Sequence, residues 1–197
     1  MQQFHGSVTE VARHINFLIK TFNLFCEYQD GINLCFNRLW SGWKDKLFRR
    51  TGYTLNGTSR EIVNCFDRMK PSLISEKEEL IKLCRYNDQS ESIPDAVLTQ
   101  PSNSINTEDT MSDGLEMIDP EVIKKFKNDL DAYIDNVSTT LSKLLSEHDA
   151  MSASWKDDNY RKLTDELTNF SAEIRKQLSM LSILSELIKR KIAILEE

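Results

Sequence analysis

The sequence contains few of the residues that interrupt helices and lacks the pattern that builds sheets. Its 197 residues include only six glycines and four prolines, and no run alternates apolar and polar residues over the length of a strand. No stretch of eighteen apolar residues is present, so we expect no membrane-spanning helix. This composition predicts an all-α protein.

An excess of positive charge is also lacking. The net charge is −6 with a pI near 5.2, and no basic stripe follows either helical half, which argues against nucleic-acid binding. The first 25 residues are amphipathic and carry Glu10, Arg13 and Lys20 where a signal peptide would be apolar. We therefore expect a cytoplasmic protein, or one secreted without a cleavable signal peptide.

Catalytic and metal-binding patterns are missing as well. His5, His14 and His148 are scattered, none stands at a metal-ligand spacing such as HExxH, and no glycine-rich phosphate loop or serine elbow occurs. We expect no catalytic residue, no cofactor, no metal and no enzymatic activity.

The four cysteines all lie in the first half of the chain, without CxxC spacing. Reduced thiols acting as small apolar side chains are the default expectation, and a disulfide between Cys26 and Cys65 is the alternative.

Apolar residues recur in steps of three and four along both halves of the chain, as in the seam of a coiled coil. In the first half, the seam before the tryptophans is Phe4, Val8, Val11, Ile15, Leu18, Phe22, Phe25, Ile32, Phe36, Leu39 and Trp43, interrupted by Gln29, and it continues as Ile62, Phe66, Met69, Leu73, Glu76, Leu80 and Leu83. In the second half it is Ile123, Lys127, Leu130, Ile134, Val137, Leu141, Leu144, His148, Met151 and Trp155, and then Ile174, Leu178, Leu181, Ser185, Ile188, Ile192 and Leu195.

The two halves share more than a heptad period. Trp43-Lys44-Asp45 recurs 112 residues later as Trp155-Lys156-Asp157, and the seam shifts register by the same two positions after each tryptophan. This shared break indicates a tandem repeat of one helical hairpin. We predict a first hairpin over residues 1–87 and a second over 120–197, packed on each other as an elongated four-helix bundle.

Local signals suggest where the helices begin. Residues 52–57, rich in glycine, read as a turn, and residues 58–61 form a capping box that would start the second helix of the first hairpin. Asp119-Pro120 reads as the start of the third helix, and the fourth would be helical from about Lys156. At Pro71 we expect a bend rather than a break.

Residues 88–119 differ from both hairpins, with eight acidic residues and no Lys or Arg. We expect a flexible acidic linker that acts as a solvated tether. The alternative is an acidic strap that lies on the first hairpin near Arg49 and Arg50.

A hairpin of about 80 residues with a Trp-x-Gly at its turn, here Trp40-Ser41-Gly42, resembles the WXG family of helical hairpins handled by type VII (ESX-type) secretion. The resemblance implies antiparallel four-helix dimers, so that this chain is similar to such a dimer joined into one polypeptide. The second hairpin has Trp155-Lys156-Asp157 in place of the motif. The Tyr-x-x-x-Asp/Glu tail of many exported members is missing, since Tyr86 is followed at the fourth position by Ser90.

Two interpretations apply to the residues around the turns. In the first, Trp40, Gly42, Trp43 and Phe48 of one turn and Trp155 and Tyr160 of the other bind a protein partner, either a helical partner or a secretion ATPase. In the second, the tryptophans close the ends of their hairpins. We favour packing for Trp43 and Trp155, which lie on the seam, and docking for Trp40, which does not.

The sequence thus supports two functions, both non-enzymatic. The first is a substrate, targeting module or chaperone of a type VII-like secretion system. The second is an intracellular coiled-coil scaffold or adaptor in a multiprotein complex. A homo-oligomer is compatible with either.

Overall fold

The computed structural model describes residues 8–41, 43, 45–86, 105 and 119–197. They form four α-helices, α1 Val8–Asn37, α2 Lys46–Tyr86, α3 Pro120–Ala150 and α4 Asp158–Leu195, and the short 3-10 helices Arg38–Ser41 and Met151–Ala153. The prediction of an all-α fold is confirmed. Most of the predicted linker over residues 88–119 lies outside the described residues.

Each helix packs against two others, in the cyclic order α1, α2, α4, α3. The Tyr133 hydroxyl of α3 donates a hydrogen bond of 2.7 Å to Gln29 Oε1 of α1, and Arg68 of α2 forms an ion pair of 3.3 Å with Glu166 of α4. The two hairpins therefore pack on each other as a four-helix bundle, which agrees with the predicted architecture.

All four neighbouring pairs of helices are antiparallel. Phe36 near the end of α1 contacts Phe126 near the start of α3, whereas His14 near the start of α1 contacts His148 near the end of α3. As a result the two hairpin turns lie at opposite ends of a rod, and α2 and α3 run in the same direction. The longest helix, α2, has 41 residues and rises about 60 Å.

The core follows the predicted seam closely. Buried seam residues include Val11, Ile15, Leu18, Phe22, Phe25, Ile32, Phe36, Leu39 and Trp43 in the first half and Ile123, Leu130, Val137, Leu141, Leu144 and Trp155 in the second. Two positions of α3 differ, because Phe126 and Tyr133 are buried whereas the predicted Lys127 and Ile134 are only partly buried, and Lys127 forms an ion pair with Asp131. The seam of α3 is thus wider than the a/d spacing predicts, and its one charged position lies at the edge of the core.

The predicted turn over residues 52–57 and the capping box over 58–61 are wrong, since α2 is continuous from Lys46. Gly52 lies inside the helix, where a Cβ would come within 3.0 Å of the Phe36 ring. Because glycine has no side chain, α1 and α2 can approach each other closely at this position. Leu55 between the two glycines is fully buried. Packing between the helices thus overrides local turn chemistry here.

The hydroxyl groups in this stretch are satisfied within the helix. Thr51, Thr54 and Thr58 each donate to the backbone carbonyl four residues earlier, at 2.8, 3.0 and 3.1 Å. Thr58 is therefore an interior residue and not a cap. The helix also continues through Pro71 without a break, as predicted.

The start of α3 agrees with the prediction. Asp119 is the N-cap, its Oδ1 accepts a hydrogen bond of 3.0 Å from the backbone N–H of Glu121, and Pro120 occupies the first helical turn. The fourth helix begins at Asp158, two residues later than expected.

The described cysteines, Cys26, Cys35 and Cys65, are all free thiols, so the alternative of a Cys26–Cys65 disulfide does not hold in this structure. Burial is the main cause that raises the pKa of Cys26 and of Cys65 to about 12, which keeps both thiols protonated and unreactive.

Among the helices described, none is both long and apolar enough to span a bilayer.

Candidate functional site

The first hairpin turn is built around Trp43 and Asp45. After the 3-10 helix, the backbone N–H of Trp43 donates 2.9 Å to the carbonyl of Leu39, which folds the chain back toward the bundle. Two residues later, Asp45 Oδ1 accepts a hydrogen bond of 2.9 Å from the backbone N–H of Phe48 and so caps the start of α2. Tryptophan closes the turn, and aspartate begins the next helix.

The second turn repeats this arrangement at the opposite end of the rod. The N–H of Trp155 donates 2.8 Å to the carbonyl of Met151, and Asp157 Oδ1 accepts a bond of 2.8 Å from the N–H of Tyr160. Each contact is the first-turn contact displaced by 112 residues. The Trp-Lys-Asp motif therefore marks a structural unit whose aspartate is an N-cap, a role that the sequence analysis did not assign.

Four aromatic rings pack together inside the end of the bundle at the first turn. Phe36 stacks on Phe48 with ring centroids 4.5 Å apart, and Trp43 lies 5.6 Å from Phe48 and 6.1 Å from Phe126 of the other hairpin. All four side chains are buried. The four rings that meet at this end are all Phe or Trp, and no histidine is among them.

The second turn has a similar arrangement of rings, but two of them are histidines. His148 stacks on Tyr160 at 4.6 Å, and Trp155 lies 5.4 Å from Tyr160 and 6.1 Å from His14. At the offset of 112 residues, His14 corresponds to a phenylalanine in the other hairpin, and so does His148. Two buried histidines thus replace two buried phenylalanines.

The two histidines form a short polar chain inside the bundle. His14 Nε2 lies 3.0 Å from His148 Nδ1, and His148 Nε2 lies 2.8 Å from the Thr164 hydroxyl. The Tyr160 hydroxyl donates 2.9 Å to the His148 carbonyl. Both rings are thereby hydrogen-bonded in their neutral form.

Burial is the main reason that the histidines resist protonation. Desolvation, with the charge of His148 as a second cause, lowers the pKa of His14 from 6.5 to about 4. Desolvation likewise lowers the pKa of His148 to about 4, although Asp149 opposes this shift. Both histidines are therefore neutral at pH 7, which suits packing and excludes a positive charge at this end of the core.

The second turn also differs from the first in its carboxylates, because Glu76 of α2 lies near Asp157. Glu76 of α2 is 1% exposed, and its Oε2 accepts a hydrogen bond of 2.6 Å from Asn159 Nδ2. Burial first, and then repulsion from Asp157, raises the pKa of Glu76 from 4.5 to about 7. At the first turn the aspartate meets a cation instead, because Lys191 Nζ lies 3.4 Å from Asp45 Oδ2.

The structure places four of the six predicted partner-binding residues in the interior. Trp43, Trp155, Phe48 and Tyr160 are 0, 1, 4 and 9% exposed. The packing interpretation preferred for the two tryptophans agrees with this placement. Phe48 and Tyr160 offer little surface to a partner, since each fills the space between its tryptophan and the neighbouring ring.

Trp40 belongs to the first 3-10 helix, but its side chain and the whole of Gly42 lie outside what is described. Neither Trp43 nor Trp155 has an acceptor for its indole N–H among the described residues. Packing, and not a hydrogen bond from the indole, therefore holds each of these two tryptophans in place.

Sequence reasoning missed the histidine pair and the two aspartate caps. His148 lies on the predicted seam, but its partner is 134 residues away and only the packing of α1 on α3 brings the two together. The available signal was the 112-residue offset, which aligns both histidines with buried phenylalanines of the other hairpin.

Within the described part of the chain, no group of three or more His, Cys, Asp or Glu side chains is arranged to hold a metal ion. No protein-family model, curated protein or solved structure shows significant similarity to the chain.

Proposed function

We propose that the chain is a non-enzymatic interaction protein, a single-chain counterpart of a WXG-type dimer, which acts as a substrate, targeting module or chaperone of a type VII-like secretion system. One observation carries this proposal. Two helical hairpins pack antiparallel, each closed by a tryptophan at its turn, with the turns at opposite ends of the rod.

The packing limits where a partner can bind. Because each hairpin covers the apolar seam of the other, the surfaces left for recognition are the turns and the outer helix faces. Trp40 and Gly42 are the turn residues without a counterpart, since the equivalent positions of the second hairpin are Ser152 and Ser154. The first turn is therefore the better candidate for binding a secretion ATPase.

The test uses the full-length tagged chain in its native host. Trp40→Ala should reduce co-purification of an FtsK-like ATPase and export into the medium, whereas Leu34→Ala, at an exposed position on α1, should change neither. Absence of the chain from the medium, together with no ATPase recovered by the wild type, would overturn the secretion proposal. An FtsK-like gene next to this one would support it.

The second candidate function is a scaffold or adaptor in a multiprotein complex. Exposed apolar residues on the outer face of α4, including Ile183 and Ile194, favour it, because lasting protein contacts bury apolar surface. Native purification should then recover a complex of fixed stoichiometry. Recovery of the chain alone, without partners, would count against the scaffold.

A further inference from the structure

The outer face of α4 carries an apolar stripe in addition to the stripe that faces the core. Met180, Ile183 and Ile194 are 38, 53 and 68% exposed, and Leu187 is half-buried between them. Their spacing of three, four and seven residues places them on one side of the helix. This is the spacing of a second coiled-coil seam, pointing away from the bundle.

The neighbouring helix α2 continues this surface. Tyr53 is 66% exposed and lies at the level of Met180, across a groove of about 510 Å³ between α2 and α4. The groove is lined by Lys46, Arg49, Arg50, Tyr53, Thr54, Gly57, Gln177 and Met180.

The floor of the groove permits close approach of another chain. Gly57 contributes no side chain, and a Cβ built there would meet only Gln177 Oε1, at 3.7 Å. That oxygen has no hydrogen-bond partner among the described residues, although the Gln177 side-chain amide donates 2.8 Å to Glu173. That oxygen is buried, so what the groove offers a partner is the open space over the α2 backbone at Gly57.

Positive charge borders the apolar surface. Lys46 and Arg50 are exposed, and neither forms an ion pair with any residue that the structure describes. Arg190 is exposed on the same side of α4 as Ile183 and Ile194. Glu173, which shares this side, already accepts hydrogen bonds from Lys176 and Gln177, and the exposed Glu186 forms an ion pair with Lys189. The charges at the groove that are left without a described ion-pair partner, those of Lys46 and Arg50, are therefore positive.

From these observations we infer that the α2–α4 face near the first turn binds an amphipathic helix of a partner protein, with acidic residues beside its apolar seam. A heptad-spaced stripe fits the seam of a helix, and the basic border fits carboxylates at the flanking positions. A second copy of this chain fits less well, because its own face would bring Lys46 and Arg50 against the same basic border. The inference rests on the proposed function only in that the chain binds a protein, and it does not require export.

The test uses the full-length chain and two synthetic three-heptad peptides with leucine at positions a and d. One carries glutamate and the other lysine at the flanking positions. Fluorescence anisotropy should show the glutamate peptide binding at least ten-fold more tightly than the lysine peptide. This preference should shrink as NaCl is raised from 50 to 300 mM.

Variants locate the site. Ile183→Glu and Arg50→Glu should each weaken binding of the glutamate peptide at least ten-fold, since one removes apolar contact and the other reverses a flanking charge. Gly57→Leu should also weaken it by filling the groove. Ile74→Glu is the matched control, because Ile74 is 47% exposed on α2 but distant from the groove, and it should change affinity less than two-fold.

Equal affinity for the two peptides, or equal loss with Ile74→Glu, would overturn the inference. Self-association of the chain that disappears in Ile183→Glu would also overturn it, since a second copy would then be the occupant. Export and ATPase capture report on the proposed function separately. Failure of peptide binding with export intact removes only this inference, and loss of export with peptide binding intact removes only the secretion proposal.

Discussion

Replacing the two buried histidines by phenylalanine should remove most of the acid sensitivity of the fold. The double variant His14→Phe, His148→Phe gives the second turn the residues that the first turn holds at equivalent positions, Phe126 and Phe36. The two pairs have similar spacing, with ring centroids 5.2 Å apart for the histidines and 5.7 Å for the phenylalanines. Thr164 keeps a hydrogen bond in the variant, because its hydroxyl also donates to the carbonyl of Tyr160.

The sign of the effect follows from the direction of the pKa shifts. Each histidine has a folded-state pKa near 4, below its value of 6.5 in the unfolded chain. The stability that depends on the neutral rings is therefore fully present above pH 6.5 and is lost as the pH falls from 6.5 toward 4. One pKa unit corresponds to about 1.4 kcal/mol, so the pair loses about 4 kcal/mol between pH 7.5 and pH 5. That is a large fraction of the 5–15 kcal/mol typical of a folded domain.

Urea unfolding followed by far-UV circular dichroism at pH 7.5, 6.0 and 5.0 measures this loss. Carboxylates titrate in both proteins, so the difference in unfolding free energy between wild type and double variant isolates the histidines. We expect that difference to change by about 4 kcal/mol from pH 7.5 to 5.0, with the variant the more acid-resistant protein. The reciprocal swap, Phe36→His with Phe126→His, should make the first turn acid-sensitive as well.

A parallel loss of stability in wild type and double variant across this pH range would refute the reasoning. It would mean that the histidines carry a proton in the folded state near pH 6, and so are not desolvated as their burial indicates.

Three further predictions concern other positions of the bundle. Glu76→Gln should stabilise the protein by up to about 3 kcal/mol at pH 8.5 but little at pH 5, because the pKa of Glu76 is raised and the wild type loses stability as the pH rises through about 7. Equal effects of the substitution at both pH values would contradict this. Gly31→Ala, with no neighbour within 4 Å of the added methyl group, should raise stability by about 0.5–1 kcal/mol, whereas Gly52→Ala should lower it by about 1–3 kcal/mol. The urea denaturation midpoint should therefore rise in the first variant and fall in the second, and a shift in the same direction would contradict this. Asp45→Ala should cost about 1–2 kcal/mol through the lost cap and ion pair, and at pH 8 it should cost more than Asp157→Ala, which loses a cap but relieves repulsion of Glu76. The gap between the two variants should narrow at pH 5, where Glu76 is neutral, and a gap of the same size at both pH values would argue against that repulsion.

The sequence was sufficient for those parts of the fold that depend on spacing and on local caps. The seam from Val11 to Trp43 is buried as predicted, since helical period alone decides which face is apolar. Asp119 caps α3 because an acceptor followed by proline needs no distant partner. Both features are encoded within a few turns of chain.

Features that depend on neighbouring helices could not be read in the same way. Residues 52–57 have the composition of a turn, but Gly52 is required by the approach of Phe36 from another helix. The pairing of His14 with His148, and the meeting of Glu76 with Asp157, require the order of the helices around the bundle. At the candidate site, the sequence identified the turns but not the aspartate caps within them.

The parallel course of α2 and α3 has a consequence for assembly. From Tyr86 to Pro120 the chain must return along the rod, a span of about 60 Å, which a connection shorter than about 18 residues cannot cover. Every contact between hairpins would be preserved if two chains exchanged their second hairpins, so only the effective concentration set by the connection, on the order of millimolar, favours the closed monomer. Trimming residues 87–119 below that length, while keeping the buried Ile105, would convert the protein into an obligate hairpin-swapped dimer with the same contacts between hairpins.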